Sequence, residues 1–390
     1  MSIAPLGSRL QIAFWWFAWG VLSVPWTLAF RWVPGSALST PRDGPFLLVA
    51  NHTSACDPLW IAFWLFRRSS FMASSALFRI PFLGHVLPLC GCFPKEKFVK
   101  DRDSMRTLAE RYSAGDVIVL FPEGTRTFDG RTHSVLPGIG RLVKRLNARM
   151  VCARILNGHL YQPRWARFPR WIPIRVEYDA VRSWPEDATV EQINEDISDA
   201  IRVDLEDPPT GFMSLGFRLA EGLPDYIWAC PSCFEQEGLE ARGKRVRCRS
   251  CTAEWILDTR NRMVNTRQGA MGLPHAPHEV AGDLWVHEAF DRLDAHFADR
   301  TLSGTASLLR LQGRFRETLD SGSATLDGEA LTVGDTVLAL SKLRAVSVEV
   351  QNRLTFRRGD ELLELVPEGQ SPLKWGHFLA RRLSGLSSPR

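Results

Sequence analysis

Apolar runs of four or five residues recur through the first half of the chain, each closed by small or polar residues. Phe46-Leu47-Leu48-Val49, Val117-Ile118-Val119-Leu120 and Met150-Val151-Cys152-Ala153-Arg154-Ile155-Leu156 are too short for helices and rich in branched residues, which predicts buried strands. Between them, apolar positions fall at helical spacing. Asp57-Pro58 opens a helix running to Phe66, Asp103–Arg111 forms another, Pro137-Gly138 starts a third and Val190–Leu205 a fourth. Strands alternating with helices predict an α/β domain with a largely parallel sheet, and Trp171–Tyr178 supplies a further strand. Beyond Asp207-Pro208-Pro209-Thr210-Gly211 the period changes. After a helix at Trp285–Asp299, runs alternate with period two at Ser307–Phe315, Ser323–Leu326, Thr336–Leu340, Val346–Val350, Arg353–Phe356 and Leu362–Val366, and the helix Pro372–Leu383 closes the chain. That pattern predicts a mainly-β domain similar to a pleckstrin-homology barrel.

At the N-terminus, Leu10–Phe30 has 21 positions without a charge, enough to span a bilayer, with Arg9 and Arg31 as flanks. Gly20 and Pro25 interrupt the run, so one span and two interfacial helices are both open. Its four tryptophans argue against a cleaved signal peptide. The expected boundaries are a membrane-associated segment at 1–45, the α/β domain at 46–222, a cysteine module at 225–262, a linker rich in Gly, Pro, Asn and His at 263–282, and the β-rich domain at 283–390.

Composition adds little: 45% hydrophobic and 23% charged residues are ordinary for globular protein, and the net charge is only +5. The distribution says more. Ten basic residues against two acidic ones lie between Arg141 and Arg182, and Tyr161–Trp171 interleaves arginine with aromatics. That suits an anionic lipid surface better than nucleic acid, which is not an expected partner. The eight cysteines are not distributed like a secreted disulfide framework. Cys230-x2-Cys233 and Cys248-x2-Cys251, separated by 14 residues, have the spacing of a four-thiolate ribbon around a structural zinc ion with no open coordination position.

Chemistry concentrates where two strands end. His52 and Asp57 follow the first strand, and a histidine five residues before a carboxylate can act as a general base with its orienter. Asp57 can equally serve as a helix N-cap. Some seventy residues on, Phe121-Pro122-Glu123-Gly124-Thr125-Arg126 follows the Val117 strand. Gly124 lets the backbone approach an anion, Thr125 can donate a hydrogen bond, and Arg126 can hold a phosphate bidentately.

Together the Asn51-His52-x4-Asp57 and Phe121–Arg126 blocks resemble the glycerolipid acyltransferases, of the 1-acylglycerol-3-phosphate acyltransferase type, over about residues 10 to 205. The resemblance implies transfer of a fatty acyl group from acyl-CoA or acyl-carrier protein to a lysophospholipid hydroxyl, with no catalytic cofactor, at the cytoplasmic face of the inner membrane. It assigns His52 and Asp57 to catalysis, and Glu123, Gly124, Thr125 and Arg126 to the acceptor, with Glu123 expected to hold Arg126 or a glycerol hydroxyl. Leu77-Phe78 to Gly84 matches the family's second block, but Ser74-Ser75 replaces a common lysine, and Lys95 or Lys97 is expected to supply that charge. The strand at Met150–Leu156 lacks the family's proline. Other acceptors, such as glycerol-3-phosphate, stay open. So does a non-catalytic membrane-tethered lipid sensor whose cysteine module and β-rich domain engage a protein partner.

Overall fold

The computed structural model describes residues 17, 20–21, 40–62, 65, 67–95, 101–203, 205, 214–266, 281–312, 315–348 and 353–387. The apolar run Leu10–Phe30 therefore lies outside the described residues, apart from three positions. Among the described residues no helix is long and apolar enough to cross a membrane. The chain divides into two compact units, one of residues 1–164 and 169–216 and one of residues 165–168 and 217–390.

In the first unit, strands β1 (Phe46–Ala50), β2 (Ser69–Ser74), β3 (Cys92–Lys95), β4 (Val117–Leu120) and β5 (Met150–Leu156) run parallel. A short ribbon pairs β6 (Arg170–Trp171) with β8 (Leu215–Gly216), and β7 (Arg175–Tyr178) adds an antiparallel edge to β5. The six-stranded order is β3-β2-β4-β1-β5-β7. β1 sits between β4 and β5, so its five residues are buried on both faces, which is why it reads as an uninterrupted apolar run. Phe46, Leu48 and Ala50 face a core with Trp60 and Ile61. Leu47 and Val49 face another, with Leu108, Leu142, Val143, Ile193 and Ile197 from the opposing helices. Those helices are Arg102–Ser113, Gly138–Leu146 and Val190–Ile201, the last opened by a Thr189/Gln192 capping box.

One expected element differs in extent and another is described only in part. The helix after β1 is described over Asp57–Ala62, and residues 63, 64 and 66 of its expected extent lie outside the described residues. Trp171–Tyr178 is split: Ile172, Pro173 and Ile174 are buried but unpaired in the sheet, because Pro173 carries no N–H for the ladder.

In the second unit, β9 (Leu239–Arg242), β10 (Arg245–Cys248), β11 (Glu254–Leu257), β12 (Arg262–Asn265) and β13 (Leu284–Trp285) form an antiparallel meander. β12 falls where composition predicts linker. Its Met263 is fully buried while Arg262 is exposed and Val264 is 37% exposed, an alternation that surrounding Asn and Gly residues hide. The helix Val286–Phe297 follows. A curled seven-stranded sheet is then built from β14 (Leu302–Gln312), β15 (Phe315–Leu326), β16 (Ala330–Val333), β17 (Thr336–Ala339), β18 (Leu343–Val348), β19 (Leu354–Arg358) and β20 (Glu361–Glu368), in the order β17-β16-β15-β14-β20-β19-β18. β16 was not foreseen, since four residues beside an Asp-Gly turn are a weak period-two signal. The helix Pro372–Ser387 buries Trp375, Phe378 and Leu379 within this unit.

Candidate active site

Parallel strands present their carboxyl ends on one edge of the sheet, and the loops leaving β1 and β4, which are adjacent in it, meet there. Asn51 begins the arrangement. Its side chain accepts from the Ile155 N–H at 2.7 Å and donates to the Ile155 carbonyl at 3.1 Å, extending the β1–β5 ladder by one side chain. His52 is thereby set just past the sheet edge.

Asp57 is fully buried and organises the turn. It accepts from His52 Nδ1 at 2.8 Å, from the backbone N–H groups of Thr53 and Ser54, and from both their hydroxyls at 2.8 and 2.9 Å. Its bonds go upstream, to the loop and to the histidine, rather than to the N–H groups of its own helix. The N-cap alternative is thus replaced by a carboxylate that fixes the whole turn. With Nδ1 donating to Asp57, His52 Nε2 is the nitrogen left to take a proton.

The β4 loop locks the same histidine from the other side. The His52 N–H donates to Glu123 Oε1 at 2.7 Å, the His52 carbonyl accepts from the Thr127 N–H at 2.9 Å, and the Phe121 ring stacks on the imidazole at 4.2 Å. Glu123 also accepts from the His133 N–H at 2.8 Å. Its carboxylate therefore ties backbone to backbone, where the sequence predicted a partner in Arg126 or a glycerol hydroxyl. Burial pushes the Glu123 carboxyl up to about 7 against the pull of these two amides. Gly124 takes a left-handed φ of 71°, and a Cβ there would lie 2.8 Å from Leu136 Cδ1.

Arg126 is half-buried, and among the described residues its guanidinium has no hydrogen bond or ion pair. Burial lowers its pKa, and its charge is felt by His52. The His52 pKa is lowered chiefly by burial; Asp57 opposes this, while Arg126 and Arg164 push it further down. The imidazole is therefore neutral at pH 7 and poised to accept a proton.

Sequence reasoning missed Thr53 and Ser54 as donors to Asp57, Phe121 as the face against His52, and Arg164, whose Nη1 donates to Thr125 Oγ1 at 3.0 Å. Two hydroxyl residues directly before the carboxylate are a readable signal for the first pair. Arg164 has none. It belongs to the Tyr161–Trp171 stretch expected to face lipid, but Tyr161, Trp165 and Arg170 are buried there, so the stretch is no continuous exposed interface. Lys95 lies 3.8 Å from Asp101 at the end of β3, an edge strand three places from β1 or about 14 Å, while Lys97 lies outside the described residues.

Residues 37–156 match the family model named Acyltransferase, and both loops fall inside that span. This segment is an acyltransferase-family domain. The chain is 30% identical over 98 residues to the chloroplast 1-acyl-sn-glycerol-3-phosphate acyltransferase LPAT1 of Arabidopsis thaliana, covering 25% of this chain and 27% of the relative. It is 25% identical over 138 residues to the 1-acyl-sn-glycerol-3-phosphate acyltransferase of Borreliella burgdorferi, covering 34% and 54%. The chain thus spans about a quarter to a half of the length of these curated relatives. The crystal structure of the 1-acyl-sn-glycerophosphate acyltransferase PlsC from Thermotoga maritima aligns at 18% identity over 50% of this chain and 82% of that one, with a TM-score of 0.41. The match ends with β5, so the matched span includes His52, Asp57 and Phe121–Arg126 but not Arg164 or the cysteine ribbon.

In the second unit the four cysteines converge, with their sulfurs all within 4.8 Å of one another. Cys230 Sγ and Cys251 Sγ are 3.7 Å apart, as are those of Cys233 and Cys248. Four thiolates at about 2.3 Å from a tetrahedral ion stand about 3.8 Å apart, whereas a disulfide needs about 2.05 Å. The donor set fits a closed tetrahedral metal site.

Proposed function

We propose that the chain transfers a fatty acyl group from a coenzyme A or acyl-carrier-protein thioester to the free hydroxyl of a lysophosphatidate at the cytoplasmic face of a membrane. The observation that carries this reading is the pairing of a neutral, half-buried His52, oriented by Asp57, with a guanidinium, Arg126, that has no counter-ion among the described residues. A half-buried cation without a partner is costly, and a phosphate brought by the acceptor supplies one. The acceptor hydroxyl gives its proton to His52 Nε2 as its oxygen attacks the thioester carbonyl carbon. The tetrahedral intermediate then collapses, the C–S bond breaks, and the departing thiolate takes the proton back from the imidazolium. Asp57 stabilises that imidazolium throughout. The cysteine ribbon in this reading binds one structural zinc ion through Cys230, Cys233, Cys248 and Cys251 and takes no part in the chemistry.

The test is transfer of a labelled acyl group to lysophosphatidate by membranes containing the protein, with each thioester in turn, beside His52→Ala at equal abundance. Transfer by the parent that disappears in the variant is expected. Absence of transfer from both donors to lysophosphatidate, glycerol-3-phosphate and other lysolipids would overturn the reading.

A further inference from the structure

The second unit carries a basic surface that takes no part in the chemistry above. Strands β9 and β10 are joined by the two-residue turn Gly243-Lys244, and their register sets Arg242 directly opposite Arg245. Like charges so placed repel and destabilise a hairpin. The turn is nonetheless held fast. The Ala220 N–H donates to the Gly243 carbonyl at 2.9 Å, the Leu257 N–H donates to the Lys244 carbonyl at 2.8 Å, and the Gly243 N–H reaches Glu221 Oε1 at 3.4 Å. These bonds lay the turn against the Arg218–Glu221 segment and bring cations from separate parts of the chain onto one surface.

Arg218 pairs with the buried Glu221, and its guanidinium carbon stands 5.1 Å from the centre of the Phe168 ring and 5.9 Å from that of Phe217. Phe217 packs at a steep angle on Phe168, their centres 5.8 Å apart, yet it is 68% exposed. Arg167 is fixed to the same segment, its backbone N–H donating to the Glu221 carbonyl at 3.2 Å. The carboxylates on this surface fall short of the cations. Glu221 is taken by Arg218, Glu254 lies 3.7 Å from Arg245, and Asp225 feels the charge of Arg167 without forming an ion pair. Among the described residues Arg167, Arg242 and Lys244 have no ion pair, and all three are exposed.

We propose that the Gly243-Lys244 turn with its flanking arginines, Arg167 and the Phe217-Arg218 pair form a docking surface for anionic lipid headgroups, with Phe217 entering the boundary between headgroups and acyl chains. Charge complementarity supplies the attraction, and an exposed aromatic ring among guanidinium and ammonium groups is the combination that interfacial anchors use. A protruding two-residue turn meets a flat bilayer surface, whereas a basic surface for single-stranded nucleic acid is a groove that follows the backbone. All of these residues lie beyond residue 156, where the family match ends. The proposal stands apart from the acyl-transfer chemistry, since a chain that transferred nothing would still dock.

The experiment follows amide hydrogen exchange at residues 217–221 and 242–245 of the full chain, because the apolar run Leu10–Phe30 can hold the protein on any vesicle and co-sedimentation would not single out this surface. The chain is reconstituted on vesicles of phosphatidylcholine alone, or of phosphatidylcholine with about one third phosphatidylglycerol. Exchange at both segments should slow about 10-fold or more on the anionic vesicles. Sodium chloride at about 0.5 M should restore it. Two cations near an anionic surface together favour contact by about 30-fold, so Arg242→Gln/Lys244→Gln should abolish the slowing. Phe217→Ser should weaken it at unchanged charge. Both variants alter exposed side chains, and melting temperatures screen out misfolding.

Equal exchange on the two kinds of vesicle, or slowing that survives in the double variant, would overturn the proposal. Undiminished slowing in Phe217→Ser would overturn the entry of that ring into the boundary. Slowing of both segments by a single-stranded oligonucleotide, with none by anionic vesicles, would assign the surface to nucleic acid instead. Labelled acyl transfer in the same preparations keeps the two readings apart: slowing without transfer sinks the transferase and leaves the docking surface, and transfer without slowing does the reverse.

Discussion

The two units treat buried charge differently. In the second, among the described residues, each buried charge meets an opposite one. Lys374, fully buried, donates to Glu237 Oε1 at 3.1 Å and to Gln236 Oε1 at 2.8 Å. Glu364, 2% exposed, is held bidentately by Arg353 at 2.6 and 2.7 Å, and Glu221 pairs with Arg218. In the first unit Asp116 follows that habit, pairing with Arg68 and accepting from Ser70, while the buried Arg111 is held by the Ser70 hydroxyl and the Gly91 carbonyl. At the site it breaks. Asp57 and Glu123 are satisfied by backbone amides, hydroxyls and a neutral imidazole, and neither forms an ion pair with Arg126. Charge balanced inside the protein builds structure, whereas charge left for a ligand marks where one binds.

The sharpest way to break this contrast is Asp57→Asn. It leaves the shape of the turn but replaces the acceptor for the Nδ1 proton, and transfer should fall by about 10²–10⁴-fold with the melting temperature lowered. Initial rates and calorimetry check both, and near-normal activity would mean that the carboxylate serves only the fold. Cys248→Ser probes the other unit. Loss of one thiolate from the four-sulfur cluster should release the bound zinc, measured by atomic absorption against about one ion per chain, and cost about 3 kcal/mol of stability. Full retention of both would refute the zinc site.

Gly158→Ala tests how closely the turn is packed. A Cβ there would fall 2.1 Å from Thr53 Oγ1 and 2.8 Å from Ile155 Cγ2, so Thr53 must shift away from Asp57. A loss of about 1–3 kcal/mol in stability is expected, with reduced transfer, and chemical denaturation is the check. The smallest effect is on pH. His52 works as a base in its neutral form, so kcat/KM should fall as pH drops through its pKa, and burial places that midpoint below the ordinary 6.5. Arg126→Gln should raise the midpoint, since Arg126 lowers it; a midpoint above 6.5 in the parent would contradict the half-buried, positively flanked histidine.

Much of the first unit was legible because a central parallel strand is apolar on both faces and leaves an unbroken run. Val117–Leu120 and Met150–Leu156 have the extents expected of them for that reason. The second unit was harder. Its strands are half-exposed, and β16, with its burial alternating over only four residues, carries too short a pattern to stand out beside turn residues.

The sequence by itself determined the local chemistry of each strand end: a histidine with a carboxylate five residues on, a glycine before a threonine and an arginine, and two cysteine pairs. These are short-range features, and short spacing constrains geometry whatever the rest of the chain does. Only the tertiary structure decided which distant groups complete the site. Glu123 became a tie to the backbone of His52, 71 residues away, and Arg164 became a neighbour of Thr125 39 residues away, because pairing of β1 with β4 and with β5 brings the ends of all three strands to one edge. Contacts across such distances follow from strand order and register, which no spacing along the chain records.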